Sequence, residues 1–480
     1  MLGRQDRWQE DLFVLGPMSD LIPDDHILKR VDRVLDLSWL RDEVKDCYNE
    51  KTGRPGIDPE AAVRLMIAGF FEGIVHDRKL MRQAEVNLAI RWFAGYRLHE
   101  PLPHHSSLTR IRQRWGEERF CRIFERGVKD CVKAGLVDGE TVHIDATLIR
   151  ADVSWRSLTE RHTESVLREN EETPKDDSDP PPVKRGRPRK QKAEKKKYSR
   201  TDPDATMATS SRKKRLTPSY KQHTAVDDKA GVIVDVAITT GEVNEGKQLE
   251  EQIKRVESNT GKHLSTATAD ASYAHARNFG MLEDRGTAGV IPPQRPVTRA
   301  GRIPAGRFKY DRKNKVVKCL RGRLLRPSGR AEDKEITIYR ARVCDCRKCP
   351  LRARCVPKSG YSRTIRISDH QDALIRARRR HWRRDPEYRR MYSRHRWRAE
   401  GVYGEAKVQH GLRRAVRRGI DNVAIQSYMT AVVMNLKRLA AAACAVIRRF
   451  VRALACVHSV WPRQQQKTPS PATAIALRAA

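Results

Sequence analysis

The chain has 480 residues and carries 97 Lys and Arg against 60 Asp and Glu, a formal charge of +37. Its length allows about two to four domains, and a hydrophobic content of 39%, although low, excludes a purely disordered or fibrous chain. So large a positive surplus repels itself unless a polyanion neutralises it, which points to nucleic acid or an anionic membrane surface.

The most apolar stretch, residues 423–447, is interrupted by Lys437 and Arg438 and reads as an amphipathic helix rather than a span. Nucleic acid is therefore the expected partner, with no membrane, and the cytoplasm the expected compartment. The first sixteen residues are charged throughout and show no apolar run ending in a small-residue cleavage site, so no export signal is read. Of ten cysteines, Cys344, Cys346, Cys349 and Cys355 fall within twelve residues; in a reducing compartment this suggests metal before disulfides.

From Asp24 to about Leu136 the pattern is helical. Ile27, Val31, Val34 and Leu35 recur at helical spacing, and Asp58-Pro59-Glu60 is a cap followed by Pro at the first helical position. A third helix is expected over about Asp77 to Trp92, and a fourth capped by Ser106 or Ser107. Arg110, Arg112 and Arg114 near its start could meet DNA as a recognition helix does, or form a solvated basic face. At TVHIDATLIR the period becomes two, a strand with Val142 and Ile144 on one face and His143 and Asp145 on the other. Residues 155–217 are polar, with ten Lys or Arg among the seventeen residues from Lys184 to Arg200, and should be mobile without a partner.

Strand pattern resumes in YKQHTAVDD and AGVIVDVAITTG, joined as a hairpin at Asp228-Lys229-Ala230-Gly231. Helix, strand, helix and strand follow to about residue 297. Three strands, helix, strand, helix, strand is the order of a ribonuclease H-like core with a mixed five-stranded sheet. Residues 298–370 are turn-rich, basic and cysteine-bearing, an insertion. Asp385-Pro386-Glu387 opens another helix that Gly411 can end. The expected class is α+β multidomain: an N-terminal helical DNA-binding domain (1–136), the first core strand (137–154), a disordered basic linker (155–217), the continued core (218–297), the insertion (298–370), C-terminal catalytic helices (371–445) and a tail (446–480).

Asp is depleted in strands, so Asp145 mid-strand and Asp270 at a strand end need a reason. Carboxylates at the ends of neighbouring strands can hold Mg²⁺, a hard ion that takes oxygen ligands. A third from a helix would complete the site, and at ~100° per residue Glu400 shares a face with Arg396 and Lys407 while Glu405 does not. Without DNA, Arg396 and Glu400 would be a surface ion pair.

The blocks HIDATLIRADVS, TADASYAHARNFGMLEDRG and RWRAEGVYGEAKVQHGLRRAVRRG closely resemble the three catalytic blocks of DDE transposases of bacterial insertion sequences. The segment from GRPGIDPEAAVRLMIAGFF to SSLTRIRQRWG resembles the N-terminal domain of that family. The resemblance covers about residues 15 to 440. It implies Asp145, Asp270 and Glu400 as metal ligands, with two Mg²⁺ or Mn²⁺ ions. It also implies element ends and target as duplex DNA substrates, a homodimer in the DNA complex, and hydrolysis at the ends followed by attack of the 3′-OH on target DNA. Arg396, Glu400 and Lys407 fit the spacing many members show, but Ser393 stands where they have Tyr, and Tyr392 is out of register; His104 likewise replaces a frequent Asp. Relatives carry a lone Cys and a later cluster that correspond here to Cys319, Cys346, Cys349 and Cys355. Four thiolates suit structural Zn²⁺; Cys344 could replace Cys346, and reduced, unligated thiols are the alternative. In the linker, Arg185-Gly186-Arg187-Pro188 with Arg189 resembles an AT-hook, with a generic phosphate-binding tail as the alternative. The rival functions are a nuclease with the same core but no strand transfer, and an inactive DNA-binding relative.

Overall fold

The computed structural model describes residues 16–49, 56–162, 195–209, 215–294, 301–331, 335–357, 360–383 and 385–460. The N-terminal part is helical: α1 (Ile27–Asp32), α2 (Leu40–Val44), α3 (Pro59–Phe71), α4 (Asp77–Val86), α5 (Leu88–Phe93) and α6 (His105–Lys133). Asp58 caps α3 by accepting from the amide of Glu60, with Pro59 in the first turn, as the sequence predicts. The expected third helix is two, because the Asn87 side chain caps α5 through the Ile90 amide. The fourth is capped by His104 rather than by a serine and breaks at Gly116, where φ is +71°.

The main sheet contains β1 (Thr141–Arg150), β4 (Thr206–Ala208), β5 (Thr217–Asp227), β6 (Ile233–Thr240), β7 (Thr266–Ala269) and β8 (Ala288–Val290), six strands where five were expected. Antiparallel β5 lies on one side of β1 and parallel β7 on the other, followed by parallel β8. β6 pairs with β5 from Tyr220 onward, and short β4 pairs with its first residues, Thr217 to Ser219. Helices α7 (Leu249–Thr260) and α8 (Ala276–Asp284) make the crossovers to β7 and β8.

β4 comes from the region expected to be a disordered linker, and so does a separate hairpin of β2 (Leu158–His162) and β3 (Lys195–Ser199). Residues 155–217 are thus not uniformly unstructured. Tyr198, Ala205 and Ala208 are buried, and the Tyr220 hydroxyl donates to Asp202, so the ends of that region pack onto the sheet.

The insertion forms its own antiparallel sheet of β9 (Lys309–Asp311), β10 (Val316–Lys318), β11 (Leu324–Ala331), β12 (Ile336–Ala341) and β13 (Thr364–Ser368), with short helices α9 (Val343–Arg347) and α10 (Arg352–Cys355). It has a small separate core around Val317, Leu325, Tyr339 and Ile365. Next come α11 (Gln371–Trp382), α12 (Pro386–Gln409) and α13 (Ile420–Val460). Asp385 caps α12 through the Glu387 amide. Gly411 ends it at φ +70°, close against Val75, where a Cβ would meet that side chain at 2.8 Å.

Two further expectations change. The N-terminal helices do not have a core of their own: one apolar cluster runs from Leu65, Phe93 and Trp115 through Val142, Ile144 and Val234 to Val433 and Leu436 of α13. α13 also extends to Val460, so the segment assigned to a tail from 446 begins as helix. By length and composition Ile420–Arg449 would pass for a membrane span, but half of its most apolar stretch is buried in this core. Every residue from Val423 to Leu436 is buried and none is charged, so this part of the helix is enclosed on all sides rather than amphipathic as expected.

Candidate active site

In the parallel register of β1 and β7, His143 lies opposite Thr268 and Ile144 opposite Ala269. The next step along both strands is Asp145 and Asp270, so the two acids leave adjacent strands side by side, on the face set by His143 and Thr268 two residues earlier. Asp145 accepts from the Ala146 amide at 2.8 Å. Burial pushes its carboxyl up to about 7, the Ala146 amide opposes the rise, and the negative groups Asp270, Glu245 and Glu400 add to it. Asp270 caps a 3-10 turn, Ala271–Tyr273, accepting from the Ser272 amide at 2.8 Å.

Glu245 is an acid the sequence did not single out. The Ser272 hydroxyl sits between it and Asp270, and Lys221 pairs with it at 3.2 Å. It begins a 3-10 turn before α7 and belongs to no motif, so only the fold brings it to the site. Two buried tyrosines floor the site. Tyr403 of α12 donates to the Asp145 carbonyl at 2.7 Å, and the Tyr273 hydroxyl has no partner among the described residues. Burial, with Asp145 among the neighbouring charges, raises both phenols well above their ordinary value.

α12 supplies the third expected acid. Its buried face is His395, Ala399, Val402, Tyr403 and Ala406, packed on β1 and β7. Glu400 stands at the edge of that face, 67% exposed and 3.3 Å from Arg396. Glu405 points elsewhere: it is 19% exposed, with Lys437 at 2.9 Å and Arg438 at 3.3 Å. Against a burial that raises it, His410, Lys437 and Arg438 pull its carboxyl down to about 2. Lys407 reaches Thr147, two residues beyond Asp145 on the same strand face. Hard oxygen donors around a buried, like-charged Asp145, beside an orphaned Tyr273 hydroxyl, suit a divalent cation. Among the described residues, however, no three His, Cys, Asp or Glu side chains are yet gathered into a metal-holding group.

Around Arg396, α11 and α12 border an open groove of about 680 Å³ lined by His381, Trp382, Tyr388, Arg389, Tyr392, Ser393 and Arg396. Trp382 and Trp397 are largely exposed. Aromatics interleaved with arginines at this place were not anticipated, although HWRRDPEYRRMY carries the signal.

The chain matches a transposase domain model over residues 17–114 and a transposase DDE domain model over residues 318–440. The chain belongs to the DDE transposases. No curated protein matches it. Members of that family act on DNA and usually use divalent metal ions. The second match includes Glu400, Arg396, Lys407 and the four cysteines; Asp145 and Asp270 lie between the two matched segments.

The other expected DNA contacts separate. Arg110 is exposed, and Arg114 is exposed with its guanidinium 4.9 Å from the centre of the Tyr48 ring. Arg112 is not available to DNA: it is buried and clamps Asp77 with two bonds of 2.8 and 2.9 Å. Its partner is thirty-five residues away, which the local pattern does not reveal. Arg185, Arg187 and Arg189 lie outside the described residues. In the insertion, Cys346 is buried and Cys319, Cys349 and Cys355 are partly buried. Burial raises the Cys355 thiol, Arg363 opposes, and Cys346, Cys349 and Cys319 add to the rise, although the four thiols do not form a closed metal-holding group. Cys344 is exposed and stands outside the set.

Proposed function

We propose that Asp145, Asp270 and Glu400 are the catalytic carboxylates of this transposase, holding one or two Mg²⁺ or Mn²⁺ ions at the ends of an insertion element. There the enzyme cuts the DNA and joins the freed 3′-OH to a target duplex. The observation that carries this is the β1–β7 register, which sets Asp145 beside Asp270 where α12 offers Glu400 and ties Glu405 away. The strand order supports a ribonuclease H-like core. Bound divalent ions would stabilise charge on the attacking and leaving oxygens of an in-line displacement. The two aspartates are fixed by the sheet, whereas Glu400 approaches from the open side by which a DNA strand enters. Arg396 can grip a phosphate there, and Trp382, Tyr388 and Tyr392 offer faces to an unstacked base. Two copies acting together, one per element end, and a cytoplasmic site of action complete the proposal.

Supercoiled donor DNA bearing both element ends tests it. Asp145→Ala, Asp270→Ala and Glu400→Ala should each lose cleavage and joining while end binding stays nearly intact, since affinity comes mainly from basic residues. Mg²⁺ or Mn²⁺ should support activity and Ca²⁺, larger and looser in geometry, should not. Normal cutting by all three variants would place the chemistry elsewhere. Cutting without any joining of a pre-cut 3′ end would make the protein a nuclease.

We also propose that Cys319, Cys346, Cys349 and Cys355 hold one structural Zn²⁺, fastening α9 and α10 to the small insertion sheet. Its core is too slight to do so alone. Protein purified without chelator should contain about one zinc per chain by the four-ligand rule. Cys346→Ser should lose it and Cys344→Ser should keep it. A folded, active, zinc-free preparation would refute this.

A further inference from the structure

Beneath the carboxylates a buried polar chain joins the three elements that carry them. The His143 ring on β1 is fully buried, with Nδ1 2.7 Å from the Thr268 hydroxyl on β7 and Nε2 2.9 Å from Asp228 in the β5–β6 turn. The Thr268 hydroxyl in turn lies 3.0 Å from Nδ1 of His395 on α12. Arg394 of the same helix donates to the Asp228 carboxylate at 2.7 Å, and Arg398 to the Asp228 carbonyl at 2.6 Å.

One charge orders every proton in this chain. The Asp228 carboxylate accepts from His143 Nε2–H, and in that tautomer Nδ1 is the ring's acceptor, facing the Thr268 hydroxyl. Thr268 must then donate to His143, which leaves its oxygen to accept from His395 Nδ1–H. Each group is satisfied in that single arrangement, and buried polar groups left unpaired are costly, so β1, β7 and α12 are held at one separation. His143 and Thr268 each precede a carboxylate by two residues on the same strand face, and His395 lies on the turns of α12 just before Glu400.

We propose that Asp228, His143, Thr268 and His395 are positioning residues that fix the distance of Glu400 from Asp145 and Asp270. The proposal rests on those three carboxylates being the catalytic set. It accounts for two buried histidines and a buried threonine at this place.

Thr268→Val keeps the volume of the side chain and removes the hydroxyl; Thr268→Ser keeps the hydroxyl. Both would be assayed for end binding, thermal unfolding and cleavage across a Mg²⁺ titration, well below the melting temperature. Thr268→Val should bind element ends normally but need more Mg²⁺ for half-maximal cleavage or cut more slowly. The loss should be about 10- to 100-fold, as when an outer partner of metal ligands is removed. Thr268→Ser should restore most of the difference. His395→Asn, which keeps a donor near the Nδ1 position, should retain more activity than His395→Phe. A folded Thr268→Val with unchanged rate and Mg²⁺ requirement, or a Thr268→Ser equally impaired, would overturn the proposal. With Asp145→Ala inactive, normal cleavage by Thr268→Val would remove only the positioning chain; normal cleavage by Asp145→Ala would remove the catalytic assignment with it.

Discussion

Glu400 and Glu405 are five residues apart on one helix, yet they do opposite things. Glu400 keeps its carboxylate in the open beside Arg396, whereas Glu405 sits between Lys437 and Arg438 and joins α12 to α13. Its folded value of about 2 lies below the ordinary 4.5, so the stability it gives is complete above about pH 4.5 and lost as pH falls toward 2. That difference is worth about 3 kcal/mol. Glu405→Gln should therefore lower stability near neutral pH by about that amount and flatten the decline of stability between pH 5 and 2. Its cleavage rate should be retained where it is folded. Denaturant unfolding at a series of pH values measures the first, and an unchanged acid profile would contradict the clamp. Helix phase alone separated the two glutamates in the sequence. It could not show Lys437 and Arg438, about thirty residues on, nor the approach of Glu245 to Asp270, which only the packed sheet creates.

The elements most legible in the sequence were those whose pattern reflects a local cause. Alternation in TVHIDATLIR and TATAD marks β1 and β7, and the cap-and-proline pairs at Asp58-Pro59 and Asp385-Pro386 mark the starts of α3 and α12. β3 escaped because KKKYS reads as a charge run, although Tyr198 turns inward. β4 escaped because three residues carry too little periodicity to register. α6 shows the same limit. Arg110, Arg112 and Arg114 look alike in sequence, but Arg112 faces Asp77, which also receives Thr109 and Arg417. Against burial, Arg112 and Arg417 hold the Asp77 carboxyl below its usual range. Removing one partner of such a buried pair costs about 3–5 kcal/mol. Arg112→Ala should thus fail by destabilisation, with the salt dependence of DNA binding unchanged in whatever remains folded. If Arg110 meets a phosphate, Arg110→Ala should leave stability intact and reduce the salt slope by about 0.9. A stable Arg112→Ala with a reduced salt slope would reverse this assignment.

At the scale of the whole molecule, α13 is the member that unites it. Its apolar residues close one core over the N-terminal helices and the sheet, and its basic residues clamp α12 through Glu405. Arg417, just before it, reaches Asp77 at the start of α4. The segment matched as a transposase domain therefore shares one core with the C-terminal helices of the segment matched as a DDE domain. Glu400, on α12 of the second, is thereby fixed relative to the first. A formal charge of +37 supplies attraction to any duplex, but not chemistry. The chemistry proposed above rests on three acids from β1, β7 and α12, and the joining of a pre-cut element end to a target plasmid in Mg²⁺ tests that most directly. Wild-type protein and Glu405→Gln should join, and Asp145→Ala, Asp270→Ala and Glu400→Ala should bind the end without joining it. Joining at the wild-type rate by Glu400→Ala, with Glu405→Gln folded but inactive, would contradict the assignment of the site.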